Sequence, residues 1–219
     1  MMAFHLERWP QYFTDFLASG LVVTLAMWLA ICVTTTLFAL PVALLRASRW
    51  WPLRLVATAY IELFRGTPLL VQMLAFFAFL PVVTGVLLPP WPTAVLVITL
   101  NGGSYLAESY RSGVQGVSKG QREAAEALGM SNPRIWTRVV LPQAVRIIQP
   151  SVGTILVALL LATSFAYLVG VVDLMAQTEN VQALTTDFSV YLLATVLYGT
   201  MALLLTFGNS LLERRLRIP

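Results

Sequence analysis

Residues 16–45 read FLASGLVVTLAMWLAICVTTTLFALPVALL, thirty positions with no charged side chain. A helix needs about 20 predominantly apolar residues to cross the hydrocarbon core of a bilayer, so this run is long enough to span with some tilt. It is closed by Pro41 and then by Arg46 and Arg49. Three similar stretches follow at 69–83, 150–172 and 189–212. In lipid every backbone N–H and C=O must be satisfied within the segment, so apolar runs of this length are helices. The fold class that follows is all-α and integral to a membrane.

Composition agrees. Of 219 residues, 58% are hydrophobic and only 11% charged, and the mean hydropathy is +0.78. A soluble domain this size carries about a quarter charged residues, so these values exclude a disordered chain and argue against a soluble one. Fourteen basic against ten acidic residues give a net charge of +4. Only Lys119 is a lysine, and the arginines are spread among apolar runs rather than gathered in a groove, which fits membrane topology better than nucleic acid. Cys32 stands alone, so no intrachain disulfide is possible, and His5 is the single histidine, so a zinc cluster or a His-dependent triad is not built here. The start of the chain, with Glu7, Arg8 and Asp15, does not read as a cleaved signal peptide.

Five spans are expected, at about 16–45, 61–83, 93–114, 150–172 and 189–212, making one transmembrane domain over 1–219. Trp50, Trp51 and Tyr60 mark an interfacial approach to the second, which Gly66-Thr67-Pro68 interrupts. The third is the polar span, with Asn101, Gly102, Gly103, Ser104, Tyr105 and Glu108 near its middle. Basic residues follow spans one, three and five, whereas the turn at 85–92 is uncharged and the loop after span four carries Asp173, Glu179 and Asp187. The excess of arginine inside predicts an external N-terminus and a cytoplasmic C-terminus, with Arg8 the one basic residue left outside. Trp9, Trp50, Trp51 and Trp91 suit an interfacial belt.

Residues 115–146 form the long hydrophilic stretch. Ser118-Lys119-Gly120-Gln121 matches a capping box, Gly129 can end the helix in the left-handed conformation, and Ser131 or Asn132 can cap a second helix with Pro133 pre-organised behind it. The expected unit is helix, turn, helix, ended by Leu141-Pro142. Ala124, Ala125, Leu128, Ile135, Trp136 and Val139 give it one apolar edge, which suits either a membrane surface or a docking partner.

Within that loop, Glu123-Ala124-Ala125, then Gly129, then Leu141-Pro142 reproduce the EAA signature of ABC importer permeases, with Val139 where Ile is usual. Phe64-Arg65-Gly66-Thr67-Pro68-Leu69-Leu70-Val71-Gln72, Tyr105-Leu106-Ala107-Glu108, Leu141-Pro142-Gln143-Ala144 and Thr163-Ser164 resemble the polar amino-acid branch. The resemblance covers about residues 14–215 and implies the type I (MetI-like) importer fold in a bacterial inner membrane. It further implies a second permease subunit, two ATPase copies that hold ATP and Mg, a periplasmic solute-binding protein and a polar amino acid as cargo. The coupling residues it implies are Glu123, Ala124, Ala125, Gly129, Leu141 and Pro142.

No Gly-x-x-x-x-Gly-Lys-Ser/Thr loop is present, so hydrolysis belongs on another chain, this chain holds no cofactor or metal, and it is not itself an enzyme. The competing reading is an ion-coupled carrier or channel subunit, which usually needs more spans and buried carboxylates; Glu108 is the clear candidate. Arg111, three residues on, offers an intrahelical partner for Glu108, the alternative to a cargo role. Arg65, Thr67, Gln72, Tyr105, Glu108, Thr163 and Ser164 form the tentative cargo path, though the uncharged members equally suit interhelical contacts. Leu161-Ala162 stands where family members with an intramembrane site often carry Lys-Asp. That departure suggests the less specific half of a heterodimer, or cargo lacking the matching charge. Gly102, Gly103 and Ala107 are expected to pack helices.

Overall fold

The computed structural model describes residues 5–216, and among these nearly every residue is helical. The first long helix, α1 (Ala18–Arg46), continues without a break from short turns that begin at Leu6. Pro41 lies inside it rather than ending it. Two shorter helices follow, α2 (Trp51–Gly66) and α3 (Leu69–Thr84), which meet at a 108° bend. The span expected over 61–83 is therefore not one rod. Thr67 and Pro68 are both extended, as the residue before a proline tends to be, and Pro68 cannot donate an amide hydrogen to carry α2 onward.

Then come α4 (Pro90–Gly116), the short α5 (Lys119–Ala127), α6 (Leu141–Ala162), α7 (Leu174–Thr185) and α8 (Ser189–Leu216). Three continuous helical stretches, Leu6–Arg46, Asn132–Val169 and Ser189–Arg215, are long and apolar enough to cross a membrane, and the bent α2–α3 pair makes a fourth if it counts as one span. At 27 residues α4 is about 40 Å long and spans by length, but its polar middle lowers its hydropathy.

The stretch leading into α6 corrects two expectations. Leu141-Pro142 does not end the second helix of the loop. A turn at Asn132–Ile135 leads through a wide turn at Trp136–Val140 straight into α6. There the Leu141 N–H donates to the Trp136 carbonyl, five residues back, so an extra residue absorbs the register lost where Pro142 has no N–H. The fourth span accordingly begins before Pro150, which lies within α6, and tightens into a 3-10 turn over Thr163–Val169 before Gly170 stops it.

The core sits where α4 crosses α1 and α6. Met27, Ile31, Met73, Val97, Ile98 and Leu159 are fully or almost fully buried there. A Cβ on Gly102 would lie 2.5 Å from the Leu159 side chain and one on Gly103 2.7 Å from Phe38, so these glycines permit close helix approach, as expected of them. The outward faces are apolar: Val33 and Leu37 on α1, and Leu203 (71% exposed), Leu204 and Phe207 on α8. Surface of that kind is stable against acyl chains and unfavourable in water.

Candidate functional site

Two places carry the sequence-derived candidates: the 118–142 segment and the polar interior around α4. In the first, α5 stops at Gly129, whose φ of +71° is left-handed. Met130 N–H donates to the Ala125 carbonyl and Gly129 N–H to the Glu126 carbonyl, the paired bonds of a Schellman stop. Ser118 is the N-cap residue as expected, but its hydroxyl makes no capping bond. Its carbonyl instead accepts from the Gln121 amide, so the capping box is not formed. The Arg122 guanidinium lies 5.1 Å from the centre of the Trp136 ring and joins the two arms.

The apolar edge divides. Ala125 and Ile135 are buried with Val117, Val140 and Ala144 in a small core that holds the segment to the ends of α4 and α6. Leu128 is 82% exposed, and Glu123, Ala124 and Gly129 are also exposed. Glu123 makes no side-chain hydrogen bond or ion pair among the described residues. Leu141 is exposed, and Pro142 sits in the first turn of α6. Of the candidate coupling residues, Ala125 thus belongs to a fastened inner row and Glu123, Ala124, Gly129 and Leu141 to an open outer one.

In the interior, the break between α2 and α3 is closed by side-chain amides. Gln72, almost buried, donates through Nε2 to the Phe64 carbonyl (2.9 Å), the Thr67 carbonyl (3.1 Å) and the Thr67 hydroxyl (2.7 Å). Asn101 from α4 donates to the same Phe64 carbonyl (3.0 Å) and to Gln72 Oε1 (3.1 Å). A helix end leaves carbonyls without partners, and these amides supply them where water is scarce. Both Gln72 and Thr67 are therefore engaged in holding the break. Asn101 was visible only as a polar residue of span three; its role depends on a contact 37 residues distant.

Glu108 does pair with Arg111: Arg111 Nε donates to both carboxylate oxygens at 3.1 and 3.0 Å, and Nη2 donates to Oε1. Sequence spacing did not reveal a third member. Arg46, at the end of α1, places Nε 3.4 Å from Glu108 Oε2 and Nη2 3.9 Å from Glu62 Oε1. Three helices thus meet on one arginine, and the Glu108 charge is compensated twice. Arg65 leaves this cluster and lies over the Tyr105 ring, 5.2 Å from its centre. Tyr105 is 41% exposed, and Arg65 is exposed as well. Thr163 is fully buried and bonded to the Leu160 carbonyl, whereas Ser164, one residue on, is only half-buried. No group of His, Cys, Asp or Glu able to hold a metal occurs among the described residues.

The apolar bundle, its broken helix sealed by amides and its protruding two-armed segment define a membrane permease subunit. The chain belongs to the family of binding-protein-dependent transport system inner membrane components, whose model matches residues 36–218. It is 34% identical over 208 residues to the L-cystine transport system permease protein TcyB of Bacillus subtilis (strain 168), covering 94% of this chain and 88% of that one. To the arginine transport system permease protein ArtQ of the same organism it is 29% identical, over 92% of this chain and 93% of the relative. Among solved structures, that of an amino acid ABC transporter with histidines superposes with a TM-score of 0.91 at 33% identity, over 98% of this chain and 100% of the other. The inward-facing MetNI methionine ABC transporter shares the fold at 21% identity, with a TM-score of 0.79 over 94% and 98% of the two chains. None of these likenesses supports the ion-coupled carrier.

Proposed function

We propose that this chain is the transmembrane permease subunit of an ATP-driven importer of polar amino acids in a bacterial inner membrane. It crosses five times, with the N-terminus outside and the C-terminus in the cytoplasm. The α2–α3 pair supplies the second crossing and α4 the third. A second permease subunit, different or identical, completes the path; a periplasmic binding protein delivers cargo, and two ABC ATPases hold ATP and Mg. The names of the curated relatives and the structural neighbour support amino-acid cargo.

One observation carries the mechanism: Glu123, Ala124 and Leu128 stand exposed on a rigid two-armed segment whose inner row is packed under α4 and α6. The small exposed side chain of Ala124 allows a partner's close approach, the buried Ala125 packs the segment beneath it, and Glu123 offers a charge to a basic site. A push on this segment passes directly into α6, because the helix is continuous from Asn132 to Val169. Closure of the ATPases would then turn α4 and α6 against the partner permease and expose the path to the other side.

Of the candidate path residues, Arg65 and Tyr105 are exposed and would meet cargo, with the half-buried Ser164 in the 3-10 turn that follows α6. Arg65 supplies a cation for a carboxylate. Glu108, Gln72, Thr67 and Thr163 hold the wall behind them. The test is reconstitution in vesicles with the second permease, ATPase and binding protein. Uptake should require ATP and every component. Accumulation by this chain alone, collapsing with an uncoupler, would refute the proposal.

A further inference from the structure

An open groove of about 930 Å³ lies between the end of α1, the start of α2, the end of α4 and the start of α6, beside the 118–142 segment. Its wall is largely apolar, with Leu40, Leu44 and Val145 exposed into it or along it. Three arginines line it, Arg46, Arg54 and Arg111, and no acidic residue does. Arg46 and Arg111 share the single carboxylate of Glu108, which stands behind the lining, and Arg46 also approaches Glu62 at 3.9 Å. Nη1 of Arg46 is buried without a hydrogen-bond partner. Arg54 makes no ion pair among the described residues.

From this arrangement we infer that the groove binds one phospholipid of the cytoplasmic leaflet with an anionic headgroup. The inference rests on the orientation proposed above, which places these helix ends at the inner face. An acyl chain fits the apolar wall, and a phosphodiester supplies the acceptor that Arg54 lacks, with Arg46 and Arg111 adding positive potential beside it. The flanking Trp50, Trp51 and Trp136 are exposed to different degrees and sit where aromatic rings favour the headgroup level. A protein helix laid in the same place would bury guanidinium groups against apolar side chains unless it also brought an acid, and that burial is costly. An anionic lipid brings charge and tail together at the correct depth.

The test titrates the full chain in neutral detergent with dioleoyl phosphatidylglycerol and with dioleoyl phosphatidylcholine, reading retained lipid by native mass spectrometry. One phosphatidylglycerol should bind per chain, in clear preference to phosphatidylcholine. Arg54→Gln should weaken phosphatidylglycerol about fivefold, as expected for one cation at a lipid surface, and leave phosphatidylcholine unchanged. Arg54→Lys should restore binding, and Val145→Trp, which fills the groove, should abolish it while the melting temperature holds. Equal retention of the two lipids, or phosphatidylglycerol binding indifferent to Arg54→Gln and Val145→Trp, overturns the inference. So does loss of phosphatidylglycerol binding when the second permease is added, since a protein chain would then occupy the groove. Failed ATP-driven uptake with lipid binding intact overturns the transporter reading alone.

Discussion

The two segments that leave the helical bundle are built in opposite ways. At one end, 118–142 keeps Glu123, Ala124 and Leu128 exposed, and a Cβ placed on Gly129 would meet nothing within 4 Å. At the other end, the segment carrying α7 is fastened through buried carboxylates. Asp173 caps α7 by accepting from the Ala176 N–H at 2.9 Å, and the adjacent Leu174 N–H donates to the Thr24 hydroxyl of α1 at 3.0 Å. Asp187 accepts from the Ser189 N–H (2.9 Å), the Tyr12 hydroxyl (3.0 Å) and the His5 N–H (3.3 Å). The α7 segment is tied to α1 and to the N-terminal turns by these bonds, with only Asp173 Oδ2 buried without a partner, whereas 118–142 leaves the charge of Glu123 and the side chain of Leu128 unmatched among the described residues.

The largest expected effect tests the open side. Glu123→Ala should reduce ATP hydrolysis coupled to transport at least about tenfold in the assembled complex, while the isolated subunit's melting temperature stays unchanged. Unaltered transport would remove the docking role and with it the contrast. On the closed side, Asp187→Ala strips the acceptor from three donors in a buried site, and about 3 kcal/mol of stability should disappear in a thermal or denaturant melt. An unchanged melt would mean the α7 segment is not held there.

Asp173 sharpens the contrast through pH. Burial pushes its carboxyl up to about 6, against partial relief from the amides of α7. In this case the folded protein holds the proton more tightly than the unfolded chain, so stability falls as pH rises from about 4 to 6 and is level above. Asp187 has the opposite sign: although burial raises its pKa, the hydrogen bonds from Ser189, Tyr12 and His5 outweigh it and hold the carboxyl below its ordinary range. Its contribution is present above about pH 4 and lost below. Asp173→Asn keeps an acceptor for the cap but removes the charge. It should leave stability nearly unchanged at pH 4 and raise it by up to ~3 kcal/mol at pH 7, measured by melts at both pH values. Stabilisation of equal size at both would show that charge is not the cause.

The smallest effect returns to the 118–142 segment. Gly129→Ala meets no side chain, so its cost is the left-handed backbone alone, about 1–2 kcal/mol in a melt. A much larger loss would mean that the segment is less open than described.

Much of the fold was legible along the chain because hydrophobic length is a one-dimensional property. The apolar runs, the polar middle of α4, the Gly129 stop and the EAA pattern are all local, and a bilayer leaves helices as the only solution for them. The pairing of Glu108 with Arg111 was legible for the same reason, since three residues apart is one face of a helix. Other features required three dimensions. Pro41 and Pro142 read as helix ends and Pro150 as the start of a span, yet α1 runs through the first, a wide turn absorbs the second and α6 runs through the third. A proline costs a helix one hydrogen bond and a local clash, and packing against α4 outweighs that in a chain with few alternatives.

Arg46 shows the limit most clearly. By sequence it closes a span; in the structure it joins Glu108 and Glu62 across three helices and lines the basic groove. Gln72 and Asn101 became partners only when α4 lay against the α2–α3 break. Sequence alone determined the solvent, the helical class and the EAA signature of the 118–142 segment, since each follows from composition and short-range spacing. Tertiary structure alone decided which polar groups are matched within the chain and which are left for something else. That outcome depends on distances between residues far apart in sequence, and burial makes each match or mismatch count.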